Sequence, residues 1–246
     1  MQIIFKDFYI FQYNNVINNI DDIKIFASYR SREILRILEK EDPCFKKVSI
    51  KKGVLQNNTY KEDSIGFFVN EQSKPIIMFL TASQLETVHK YSTLAKKTNR
   101  AYNKVIAEML RTKLGIPYIK AENIDFSFRE IFDLLHEYGH YHHVYLSNEV
   151  NTFEKFNGLS TELDSINEKI LKKTKRLKLK YISLKHEEMF LEKYIKTIIK
   201  TSHYELQAYE FAINFIRTHR KLFERLFPKI FLNNSRTNFM MPSGTN

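Results

Sequence analysis

The 246 residues are 43% hydrophobic and 14% aromatic, which supports a substantial core and excludes a wholly disordered chain. Only 6 Gly and 5 Pro favour long helices over a turn-rich all-β fold, and a single cysteine, Cys44, excludes an intrachain disulfide or a cysteine-built metal site. The formal net charge of +11 fits an anionic partner or simply a soluble Lys-rich chain, and no apolar run approaches the roughly 18 residues of a membrane span.

Residues 3–13 have strand composition, and the stretch from Met1 to Ile10 lacks a basic leader and a small-residue cleavage site, so a cytoplasmic protein is expected. Asp21 and Asp22 are placed to cap a helix carrying Ile23, Phe26, Ala27, Ile34, Leu35 and Leu38, with Pro43 just beyond its end. Residues 47–51 and 54–60 suit short strands. Ser64–Val69 and Pro75–Leu80, joined by the polar stretch 70–74, predict a β-hairpin, and Pro75 fits the start or edge of a strand. An edge strand beside a cleft would accept an extended peptide through main-chain hydrogen bonds. Thr81 or Ser83 then opens a long helix to about Lys113. Its apolar face includes Leu85, Val88, Leu94, Tyr102, Val105, Ile106, Met109 and Leu110, and Gly115 and Pro117 stop it.

The chemistry-bearing stretch is His136-Glu137-Tyr138-Gly139-His140, an H-E-x-x-H pattern. On a helix, His136 and His140 share one face about 6 Å apart along the axis, close enough to give one ring nitrogen each to a zinc ion. Glu137 points off that axis toward the open side of the metal, where a base can take a proton from water. Ser127 and Glu130 spell a capping box that starts the helix at Phe128, and Ile131, Phe132, Leu135 and Gly139 repeat at helical spacing beside the histidine face. Glycine inside a helix costs about 1 kcal/mol against alanine, so Gly139 implies close approach of another backbone. His143 shares the histidine face but lies too far along the axis to bind the same ion. His142 and His143 suit a cleft rim or a helix end.

Beyond His143 the chain becomes Lys/Glu/Leu/Ile-rich, and residues 151–201 read as a helical arm with Leu159, Leu163, Ile166 and Ile170 spaced for one packing stripe. Within residues 171–180, from Lys172 to Lys180, six residues are basic and none is acidic. That patch suits nucleic acid or an acidic surface, or a solvated helix face. Residues 202–232 form the next helical region, and residues 233–246 a frayed tail.

A catalytic zinc needs a third protein ligand, and the stretch just after the arm, Ser202 to Phe215, offers Glu205 with Glu210 as its rival. Here the sequence resembles the ImmA/IrrE-type zinc metallopeptidases. Arg129, Phe132 and His136 through Tyr141 match the active helix of that family; Glu205, Ala208, Phe211 and Ala212 match its second helix. The resemblance implies that Glu205 is the third zinc ligand and that Ala208 lets the two helices approach. It departs at Tyr209, where the family usually has Asn or Asp. The long separation of His140 from Glu205 also implies that the arm is an insertion. Tyr209, one turn after Glu205, is the first choice as donor to the oxyanion of a tetrahedral intermediate.

The expected fold is α+β, mainly helical: a zincin-like metallopeptidase core, residues 1–150 and 202–232, with a small N-terminal β-sheet and an inserted helical arm. The expected function is a zinc-dependent endopeptidase, with zinc on His136, His140 and Glu205 and Glu137 as base. Its substrate would be a protein segment, and the family resemblance suggests a transcriptional repressor. The alternative is a non-catalytic, zinc-stabilised protein that binds nucleic acid or an acidic partner through its basic arm.

Overall fold

The computed structural model describes residues 27–53, 55–56, 59–60, 66–147, 150–159, 165 and 184–232. The first helix, α1 (Tyr29–Glu41), begins where the Ser28 side chain accepts from the Ser31 backbone N–H, and it buries Ile34, Leu35 and Leu38. Ser28 is therefore the cap of this helix; Asp21 and Asp22 lie outside the described residues. Asp42 ends α1 and caps the 3₁₀ turn Pro43–Lys47, its carboxylate accepting from the Cys44 N–H.

Among the described residues five strands follow: β1 (Ser49–Lys52), β2 (Leu55–Gln56), β3 (Thr59–Tyr60), β4 (Gly66–Val69) and β5 (Pro75–Phe79). The predicted hairpin is present, with β4 antiparallel to β5 in the register Val69 opposite Pro75. Its turn is held by the Asn70 side chain, which accepts from the Gln72 and Lys74 N–H groups. β1 joins the other side of β5 in parallel, giving the order β1-β5-β4, while β2 and β3 pair separately. β5 is buried along its whole length, as an unbroken apolar run in a central strand should be. Among the described residues the edges of the three-stranded sheet are thus β1 and β4, with β5 in the centre.

The long helix expected after the hairpin is two helices. Thr81 caps α2 (Ala82–Tyr91) in a full capping box with Gln84, and Ser92, in extended conformation, separates it from α3 (Thr93–Leu114). Gly115 stops α3 in the left-handed region at φ +63°, where a side chain would be strained.

The next helix, α4 (Phe126–His140), is buried at every position from Phe128 to His140. Its cap is Asp125, whose carboxylate accepts from the Phe128 N–H at 2.8 Å, so the Ser127–Glu130 capping box does not form. Glu130 is instead fully buried and accepts from the backbone N–H groups of Ser28, at 2.9 Å, and of Ala82. Those groups stand at the starts of α1 and α2, where helix dipoles favour a carboxylate. A long-range clamp has taken the side chain that local sequence assigned to a cap.

Four helices complete the described chain: α5 (Leu184–Thr201), α6 (His203–Thr218), α7 (Arg220–Leu226) and α8 (Pro228–Phe231). α4 packs most extensively against α6, and α3 against α5. Leu191, Tyr194, Ile195, Ile198 and Ile199 of α5 are buried, and Lys196 of α5 reaches Glu108 of α3 at 2.6 Å. The C-terminal part of the predicted arm therefore belongs to the packed body. Near its other end, residues 153–159 are helical, and Phe156 meets Phe67 of β4 edge-on at 5.7 Å. Lys172–Lys180, Leu163, Ile166, Ile170 and the tail 233–246 lie outside the described residues. The architecture is α+β and mainly helical. Among the described residues no helix is long and apolar enough to cross a membrane.

Replacing Glu130 by Ala strands two helix-starting N–H groups, so Glu130→Ala is expected to destabilise the protein by about 2–4 kcal/mol. Chemical denaturation, with the midpoint compared at an unchanged slope, measures it.

Candidate metal centre

The site is made by the crossing of α4 and α6. A Cβ placed on Gly139 would lie 2.8 Å from both the Cα and the carbonyl oxygen of Ala208 and 3.0 Å from the Phe211 Cβ. These separations permit only hydrogen at Gly139, and they explain a glycine in the middle of a buried helix. Ala208, fully buried, is the small residue on the opposing face. The contact places the first turn of α6 over the histidine face of α4.

Glu205, in that first turn, faces both histidines. His136 Nε2 and His140 Nε2 are 3.2 Å apart. Glu205 Oε2 is 3.4 Å from His136 Nε2, and Glu205 Oε1 is 3.3 Å from His140 Nε2. Ligands at about 2.0–2.1 Å from a tetrahedral ion are separated by about 3.3–3.4 Å, so the spacing found here is that of one face of a coordination tetrahedron. Exposure is 4% for His136, 1% for His140 and 5% for Glu205. This buried group can hold a metal ion. Glu210, the other carboxylate considered, is on the surface and pairs with Lys113 at 3.6 Å.

The electrostatics suit ligation. Burial pushes the His140 imidazole below its ordinary value, against the upward pull of Glu205, which favours the neutral ring that donates to a metal. For Glu205, burial acts upward, but its electrostatic attraction to and hydrogen bonds with the two imidazoles prevail and hold the carboxyl well below its ordinary value. The Glu205 N–H is capped by Ser202 Oγ at 3.3 Å, and the start of α6 adds its dipole.

Glu137 is also buried, at 2% exposure, next in sequence to the candidate ligand His136. Tyr138, the following residue, faces away and donates to the Asp42 carboxylate at 2.7 Å. Burial, with Asp42 as acceptor, pushes that hydroxyl's pKa far up, so it remains a donor. Tyr141 donates to the Cys44 carbonyl at 3.4 Å. These bonds tie the back of the histidine helix, α4, to the turn after α1. The helix then widens into one π-helical turn, Tyr141–Tyr145, a form common at functional sites. His142 and His143 lie in that turn beside Phe211, with ring centres 5.3 and 6.3 Å away, and do not join the ligand triangle.

Tyr209 lies at the site, with its ring centre 4.2 Å from that of His136. Its hydroxyl donates to the Tyr102 hydroxyl at 3.0 Å. Tyr102 in turn lies 4.0 Å beneath the Arg129 guanidinium, which pairs with Asp133 at 3.2 Å and donates to Asn103 Oδ1 at 3.0 Å. Sequence reasoning placed Tyr102 in an apolar stripe and missed this network. The available signal was Arg129 and Asp133, opposite charges one turn apart on a helix otherwise suited to burial.

Gly139→Ala must drive α6 away from α4. It is expected to cost about 1–3 kcal/mol through overpacking and to weaken binding of a divalent metal such as zinc by about tenfold or more as Glu205 withdraws. Thermal melts of the metal-free protein and a competitive zinc titration measure the two effects separately. No family model matches the chain, nor does any curated protein or solved structure at a significant level, and what marks the site is its own three-ligand geometry.

Proposed function

We propose that this protein is a zinc-dependent endopeptidase with a zincin-like core, similar to the ImmA/IrrE-type peptidases. The observation that supports this most is the convergence of His136, His140 and Glu205 within 3.2–3.4 Å of one another, with Glu137 next in sequence to His136. Two imidazoles and one carboxylate leave one vertex of a tetrahedral site open, as hydrolytic zinc sites do. Zinc held there would acidify a water molecule and polarise a carbonyl, the two things peptide hydrolysis needs at neutral pH.

The chain's own groups do the rest. Glu137 serves as general base, taking a proton on its carboxylate from the attacking water and returning it to the departing amine. Because its carboxylate is buried, its interactions act through a medium of low dielectric and are stronger than in water. The substrate is a protein segment bound in extended form along β4, the outer strand of the hairpin and an edge of the sheet. The net charge of +11 favours an acidic segment. By resemblance, the target is a regulatory DNA-binding protein in the cytoplasm.

Glu137→Gln is expected to keep one zinc per chain and lose about 10²–10⁴-fold in peptide cleavage. Metal analysis beside a peptide-library assay checks both. Retained biological activity in that variant would instead favour the non-catalytic reading, a zinc-stabilised protein binding nucleic acid or an acidic partner.

A further inference from the structure

A zinc-ligating histidine almost always donates its second ring N–H to a carboxylate, a carbonyl or water, and that bond fixes the ring. His136 lacks one: its Nε2 is turned toward Glu205, and its Nδ1 is buried with no hydrogen-bond partner among the described residues. Among the described residues, the plane of this ring is set by the rings packed against it.

The imidazole is packed on two sides. The His140 ring stands at 85° to it with centres 4.7 Å apart, and the Tyr209 ring lies against it at 4.2 Å and 52°. Tyr209 is itself immobilised, buried, tilted against Phe132 at 6.1 Å and bonded through its hydroxyl to Tyr102 at 3.0 Å. Tyr102 is pinned under Arg129, whose guanidinium is held by Asp133 and Asn103. Burial, reinforced by the Asp133 charge, raises the Tyr102 hydroxyl well above its ordinary value and keeps it protonated.

We propose that Tyr209 is a positioning residue for His136, its ring holding the imidazole plane by packing and Tyr102 locking that ring in place, a role that rests on the metal-centre reading above. The device acts through shape: rotation of the imidazole would collide with a phenol ring that cannot swing aside while its hydroxyl is held.

Cobalt(II) is the probe, because its visible bands report coordination geometry while a chelator competition gives affinity. The full chain and the variants Tyr209→Leu, Tyr209→Phe and Tyr102→Phe are compared, with the melting temperature of each metal-free form. Tyr209→Leu is expected to bind cobalt about 10–100-fold more weakly, with altered bands. Tyr209→Phe and Tyr102→Phe keep both rings and remove one shared hydrogen bond, so each should lose about 2–10-fold, and the double variant no more than either alone. Wild-type affinity and bands in Tyr209→Leu would overturn the proposal. Should that variant fail to fold, unchanged affinity and bands in both Phe variants would overturn it equally. A wild-type chain that takes up no cobalt would sink the metal reading itself, an outcome visible before any variant is compared.

Discussion

The structure depends on one backbone-to-backbone contact, Gly139 of α4 against Ala208 of α6. Gly139 lies beside His140 and one turn from His136, while Ala208 lies one turn from Glu205. Where the helices touch, the ligands on either side are brought into register. A larger residue at the crossing would force the helices apart and open the 3.2–3.4 Å triangle. Glycine is a poor helix residue, and here its intrinsic penalty of about 1 kcal/mol is set against the assembly of a whole site.

A second constraint follows from the burial of α4 on all sides. Its polar side chains cannot reach solvent, so they must find partners in neighbouring elements. Glu130 joins the starts of α1 and α2, Arg129 gathers Asp133 and Asn103, and Tyr138 reaches Asp42. Each bond also orients the helix. Together they fix its rotation about its own axis, and that rotation decides whether two imidazoles point at α6 or elsewhere. The polar content of a buried helix thus becomes the frame of the ligand set.

The sheet contributes differently. Because β5 is paired on both sides, main-chain bonding to another segment is left, among the described strands of this sheet, to β1 and β4. Of these, β4 shares its hairpin with β5 and packs Phe67 against Tyr141 and Phe156, next to the turn that follows the histidine helix. A peptide added there would lie close to the end of α4, which is the geometric basis for the substrate orientation proposed above.

How much of this was legible in the sequence depended on the range of the interaction. The histidine pair was legible because i and i+4 share a face in any α-helix, and so was the hairpin, from two apolar runs about a polar turn. The capping box at Ser127 was not realised: Asp125 provides the cap, and Glu130 is drawn to N–H groups more than 45 residues away in sequence. The break at Ser92 also lacked the Gly or Pro that marks such a point. For Tyr209, spacing along α6 gave its face correctly, but only the fold shows its hydroxyl meeting Tyr102. The sequence by itself determined the helical character, the two imidazoles and the candidate base, all properties of short stretches of chain. Only the tertiary structure decided that Glu205 rather than Glu210 completes the triangle, because that choice depends on how two distant helices cross at Gly139 and Ala208, and no local periodicity encodes a crossing.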